Sequence, residues 1–203
     1  MPSGTAIASM LVAAVVSCAC APLPMRVYVA DAPQSALVYS RCSFNTHVPV
    51  AVMLTAGPVL ATLALSRQDG RSYVQLQLDI PSGATVVLDD DTVSIKTSSP
   101  STLSQSHFPS VSLVDTPILN SYSTVLEVQR QQLPVRTPMV GGSLQIGATT
   151  SDRHFWLAAY VDTASAEEVT VSLPSFRLNG VSTSLAPVLF RAQTVLGVAI
   201  INC

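Results

Sequence analysis

The sequence predicts an all-β protein folded as an antiparallel β-sandwich, and three observations carry that prediction. Apolar residues recur with a period of two over many short segments. Gly, Pro, Asn and Asp punctuate those segments at short intervals, and no stretch shows the apolar stripe of an amphipathic helix. The composition agrees, with 48% hydrophobic residues and only 11% charged ones in 203. Strands with one apolar and one polar face, repeated this often, need two facing sheets or a closed barrel to bury the apolar faces.

In chain order, residues 48–54 and 59–65 are the first strand-length apolar segments. Val74, Leu76, Leu78 and Ile80 then alternate with Tyr73, Gln75, Gln77 and Asp79, behind Asp69-Gly70. Asp-Gly supplies the positive φ angles of a two-residue hairpin loop, so the segments flanking it are expected to pair. Pro81-Ser82-Gly83 turns the chain into residues 84–88, and Asp89-Asp90-Asp91 reads as a solvated hairpin turn before Val93 and Ile95. Residues 97–123, dense in Ser, Thr and Pro, read as one long irregular stretch. It is expected to be a crossover held down by Phe108, Val111, Leu113 and Ile118, or else a binding loop. Strand-length segments follow at 124–129, 143–148 and 154–161. Val169, Val171 and Leu173 precede Pro174, Phe176 and Leu178 approach Asn179-Gly180, and Leu185, Val188 and Phe190 lie on the return. This strand rhythm is similar to that of immunoglobulin-like and fibronectin-like domains.

The apolar run 6–16 is too short for a membrane-spanning helix, which needs about 20 residues, but suits the core of a secretory signal. It ends in Val15-Val16-Ser17-Cys18, which resembles the lipobox of bacterial lipoproteins. The resemblance implies cleavage before Cys18, acylation of its sulfur and, with Ala19 rather than Asp next, sorting to the outer membrane. One departure is upstream: the first basic residue is Arg26, so the usual basic leader is missing. The expected organisation is a signal peptide over 1–17, a lipidated cysteine and flexible tether over 18–34, and one β-sandwich domain over 35–203.

Four cysteines occur, Cys18, Cys20, Cys42 and Cys203. With Cys18 acylated, the expected disulfide is Cys42–Cys203, which closes a loop worth roughly 5 kcal/mol in the chain-entropy model. Cys20 is then left in the tether, or is itself the acylated residue.

A net charge of −2, scattered arginines and a single lysine, Lys96, exclude the basic stripe of a nucleic-acid binder. No Gly-x-Ser-x-Gly elbow occurs; Gly141-Gly142-Ser143 breaks at Gln145. His47, His107 and His154 are far apart, and Asp152 with His154 is the best base pair a hydrolase would find. No His-Glu-x-x-His or Cys-x-x-Cys spacing points to zinc, and no glycine-rich loop points to a nucleotide cofactor. Asp89-Asp90-Asp91 offers oxygen ligands for calcium, but its place between strand segments favours a solvated turn. Trp156 and Tyr160 have the even spacing that puts both on one face of a strand, opposite Phe155, Leu157, Ala159 and Val161. That face is either covered core or a contact surface for a glycan or peptide.

The leading expectation is a non-enzymatic envelope lipoprotein, anchored by its N-terminal lipid, whose sandwich binds another envelope protein or builds an assembly. The alternative is a glycan- or peptide-binding module that uses Trp156, Tyr160 and the 97–123 loop. An envelope hydrolase ranks third. No catalytic, metal or cofactor residues are assigned.

Overall fold

A computed structural model describes residues 23–39, 49–68, 71–98, 101–114, 131–146, 149–163 and 166–197. Two antiparallel sheets face each other. The smaller runs in the order β1 (Leu23–Ala30), β18 (Val188–Gly197), β15 (Glu168–Ser172), β7 (Thr92–Thr97) and β8 (Leu103–His107). The larger has seven strands: β10 (Gln131–Leu133), β9 (Val111–Val114), β14 (His154–Val161), β5 (Arg71–Asp79), β4 (Val59–Gln68), β3 (Pro49–Ala56) and β2 (Leu37–Tyr39). A four-stranded sheet joins β11 (Met139–Val140), β6 (Thr85–Leu88), β16 (Phe176–Leu178) and β17 (Val181–Thr183). A separate pair joins β12 (Ser143–Ile146) to β13 (Thr149–Asp152). Among the described residues the one helical piece is a 3-10 turn at Gln34–Ala36.

The period-two pattern explains the layers. Val74, Leu76 and Leu78 of β5 are buried with Leu63 of β4 and Leu157 of β14. Ile95, Val169, Val171 and Phe190 of the five-stranded sheet complete one apolar cluster with them. Met139, Val86 and Phe176 extend that cluster beneath the four-stranded sheet. The result is an all-β sandwich. Its strands outnumber the seven to nine of immunoglobulin domains, so the likeness lies in rhythm and layering.

The structure corrects several expectations. Leu23–Ala30 falls inside the expected 18–34 tether yet is an edge strand, paired with β18 from Leu23 opposite Gly197 to Ala30 opposite Phe190. Tyr28 and Ala30 point into the core, and the Tyr28 hydroxyl donates to the Ala166 carbonyl at 3.0 Å beside the buried Thr163 and Ser72 hydroxyls. Pro24, which suggests a tether in sequence, is tolerated because an edge strand leaves one side of its backbone unpaired.

The 97–123 stretch is not one irregular loop, since it contains β8 and β9. Leu103-Ser104-Gln105-Ser106-His107 lacks alternation because β8 is an edge strand with no fully buried side chain. Residues 115–123 lie outside the described ones.

Asp89–Asp91 is a corner between sheets rather than a hairpin, because β6 and β7 belong to different sheets. Asp89 accepts from Arg177 Nε and Ser175 Oγ, Asp90 accepts the Thr92 N–H at 2.7 Å, and Asp91 meets His107. Three carboxylates that each face a different internal donor do not converge on a cation.

After Asn179-Gly180 the return strand is Val181–Thr183, closer than expected. The φ angles of +51° and +84° at these two residues are those of the tight hairpin turn that Asn-Gly favours. Residues 124–129, Cys18, Cys20, and the Cys42–Cys203 pairing lie outside the described residues.

Candidate functional site

The site is built on the outer face of the seven-stranded sheet, where β5 and β14 run side by side. Their register sets His154 opposite Asp79, Trp156 opposite Gln77, Ala158 opposite Gln75, and Tyr160 opposite Tyr73. All eight residues share one face by parity, while Phe155, Leu157, Ala159 and Val161 are buried on the other. Trp156 and Tyr160 therefore stand together on the face that looks away from the core.

That face opens into a groove because β9 follows β14 only from His154 to Trp156. Before Ser112 the chain passes through Ser110 and Pro109, and proline has no N–H with which to prolong the ladder. The gap is a groove of about 470 Å³, bounded by Trp156, Tyr160, Tyr73, Gln75, Ser112 and Gln132, with Pro109 and Ser110 at its rim. Ala158 lies between Trp156 and Tyr160 along the strand, and its small side chain leaves the space between the two rings open.

The aromatic wall is braced from below. Tyr160, 59% exposed, packs on Tyr73 with ring centroids 4.3 Å apart at 49°. Tilted pairs of this kind contribute about 0.5–1.5 kcal/mol beyond their buried area. The Arg71 guanidinium stands 5.9 Å from the Tyr160 ring centroid, within cation–π range. The opposite wall is polar and fixed: Gln132 Nε2 donates to Ser112 Oγ at 2.9 Å, and Ser110 Oγ donates to Gln132 Oε1. An amide held at both ends keeps one N–H and one lone pair for a ligand.

Further along the same two strands lies a second cavity of about 650 Å³, lined by Asp79, Ser82, Gly142, Arg153 and His154 with Pro58, Leu60, Ile80 and Pro81. Asp79 Oδ1 accepts from His154 Nδ1 at 2.6 Å and from the buried Gln77 Nε2 at 3.0 Å. His154 thus has Asp79 as a carboxylate partner, while the side chain of the expected Asp152 lies outside what is described. Directly opposed residues on paired strands touch, whereas residues two apart on one chain are separated by about 7 Å. Of the polar run 149–153, which the sequence suggests is a turn, residues 149–152 form the strand β13. His154 and Asp79 make an oriented imidazole, but among the described residues no serine hydroxyl bonds its other nitrogen. A hydrolase would need that third member.

His107, outside both cavities, bonds Asp91 Oδ1 through Nδ1 at 3.0 Å. This hydrogen bond holds the exposed Asp91 carboxyl below its ordinary pKa. A depressed carboxylate contributes stability above its unfolded pKa, and the contribution fades as pH falls through the folded value. In His107→Ala the Asp91 titration moves up toward the usual carboxylate range when followed by carboxyl-carbon NMR. An unmoved midpoint would show that the pair does not form in solution. His47 lies outside the described residues, which also contain no cluster of three or more metal-ligating side chains.

Sequence reasoning found Trp156, Tyr160 and, through the 97–123 stretch, the segment that supplies Pro109, Ser110 and Ser112. It missed Tyr73 and Gln75, whose parity was visible but whose strand neighbours were not, and Gln132, which lies on a strand the sequence does not announce. Fold and site together define an all-β domain that presents an aromatic and amide groove on the outer face of its larger sheet. No family model, curated protein or solved structure matches the chain.

Proposed function

We propose that this chain is a non-enzymatic glycan-binding module, held at a bacterial cell envelope by an N-terminal lipid. The observation that carries the reading is the groove in which Trp156 and Tyr160 face the locked Gln132 amide across the Ala158 floor. A sugar ring has an apolar face of C–H groups and an equator of hydroxyls. The first stacks on an aromatic side chain, and the second needs convergent amides and hydroxyls. A peptide held by strand addition would instead need an open sheet edge. The groove is walled by side chains on a sheet face, and the short β14 edge beside it, paired on its other side with β5, is partly taken up by Ser106 Oγ, which donates to the Tyr160 carbonyl.

A second reading has its own support. Among the described residues strand β8 has a ladder only with β7, and its Leu103 end is 73% exposed, while further along Ser106 Oγ donates to the Tyr160 carbonyl of β14. Such an edge suits a partner strand from another envelope protein. The two readings separate cleanly, because Leu103→Lys would abolish capture of a strand partner and leave glycan affinity unchanged.

The tether rests on the lipobox-like Val15-Val16-Ser17-Cys18. Two or more acyl chains hold a domain at a bilayer far better than one. Cys18→Ser is expected to release the protein from the membrane fraction, with loss of the acyl mass from the intact protein. Unchanged membrane association would refute lipidation at that residue. The groove itself is tested by titrating the detergent-extracted full-length protein with a glycan panel: saturable binding supports the reading, and no binding to any member opposes it.

A further inference from the structure

We infer that the cavity beside His154 is a carboxylate subsite, so that the glycan taken by the neighbouring groove is an acidic one carrying a uronic-acid sugar. The inference rests on the glycan reading of the groove and adds the chemical class of its ligand.

Arg153 is the reason. It lines the cavity, its Nε is buried, and that atom has no hydrogen-bond partner. Among the described residues Arg26, Arg177 and Arg191 sit within 3.3 Å of carboxylates, whereas Arg153, like Arg67, Arg71 and Arg136, forms no such pair; Arg153 differs from those three in having a buried, unpartnered Nε. The one carboxylate in the cavity lining, Asp79, already receives His154 and Gln77. The cavity therefore holds a guanidinium whose buried Nε has no acceptor among the described residues, beside an acid that is engaged. A guanidinium presents a planar fork of donors, which matches a carboxylate through two parallel hydrogen bonds.

The walls around Arg153 are fixed by the backbone. The Arg153 N–H donates to the Gly142 carbonyl at 3.1 Å, and the Gly141 N–H donates to the Ala84 carbonyl at 2.9 Å. This ties the segment that bears Arg153 to the Pro81–Ala84 turn on the far side of the cavity. Ser82, in that turn, adds a hydroxyl to the lining.

Position supplies the link to a sugar. His154 and Trp156 share the outer face two residues apart, about 7 Å along the strand, and Arg153 precedes them directly. The groove and the cavity are separate openings on that face with the buried Gln77 between them, and an oligosaccharide stacked on Trp156 and running along β14 toward His154 would bring a later sugar to the Arg153 cavity. A polymer of alternating apolar faces and carboxylates fits both halves of this surface. A free inorganic anion would use only one.

The test uses the detergent-extracted full-length protein with oligosaccharides of glucuronate, galacturonate, mannuronate and guluronate, each beside its carboxyl-reduced neutral counterpart. At least one acidic oligosaccharide is expected to bind ten-fold or more tightly than its reduced form. Arg153→Gln should erase that preference while leaving the affinity for the reduced form intact, which also shows that the variant is folded. Arg153→Lys, which keeps the charge and loses the fork, should retain only part of the preference. Equal binding of acidic and reduced forms, or a preference that survives Arg153→Gln, would overturn the subsite and leave the groove standing. Binding of inorganic phosphate that depends on Arg153, with no glycan bound, would overturn the acidic-glycan assignment and the groove reading together.

Discussion

Gly141→Ala is expected to lower the unfolding free energy by about 3 kcal/mol, the upper end of the usual cost of forcing an extra carbon into a packed site. A Cβ at position 141 would stand 1.9 Å from the Pro81 carbonyl oxygen and 2.5 Å from that of Ile80. Both obstacles are main-chain atoms, so no side-chain rotation relieves the clash. Neither side is free to retreat. The Gly141 N–H is bonded to Ala84, and Ala84 in turn closes the turn from Pro81 with a 3.1 Å hydrogen bond. The close approach therefore joins the segment leading to Arg153 with the turn that follows β5. Urea denaturation of the variant measures the effect through the shift in midpoint. A loss below about 0.5 kcal/mol, the size of an ordinary surface substitution, would mean that the two segments do not meet as described.

Trp156→Ala is expected to weaken glycan binding by about 2–3 kcal/mol, the range of an aromatic hot spot, or roughly 30- to 150-fold. Tryptophan in a partly desolvated groove provides the largest stacking surface that any side chain offers, and here it also forms one wall. The inward face of β14 is untouched by the change, since Phe155 and Leu157 belong to the core and Trp156 does not. The fold should persist, and calorimetric titration of wild type and variant with the same oligosaccharide isolates the binding term. An affinity that falls less than three-fold would remove Trp156 from the contact surface.

The parts of this molecule legible in sequence are those in which one short segment carries the whole signal. His154–Val161 is a strand-length segment in which Trp156 and Tyr160 are evenly spaced, so its extent and the shared side of those two residues follow from a period of two. Asn179-Gly180 announces its own turn. Strand β8 is hidden because an edge strand needs no apolar face, and β1 is masked by the prolines that such an edge tolerates. The site is harder. Tyr73, Gln75 and Asp79 sit beside Tyr160, Ala158 and His154 only because β5 pairs with β14 across some 80 residues of chain. Nothing local records which strands become neighbours, and so Asp152, near in sequence, stands out while Asp79, near in space, does not. Arg153 is invisible for a further reason. An arginine in a polar run looks solvated until its Nε is found buried.

The decisive measurement is the fluorescence of the sole tryptophan, Trp156, in the full-length protein titrated with oligosaccharides, with and without acrylamide as quencher. The groove predicts that acrylamide reaches the free protein's tryptophan and that a bound glycan shifts the emission saturably and shields it. An indole closed to acrylamide before any ligand is added, with emission that no glycan alters, would contradict the account.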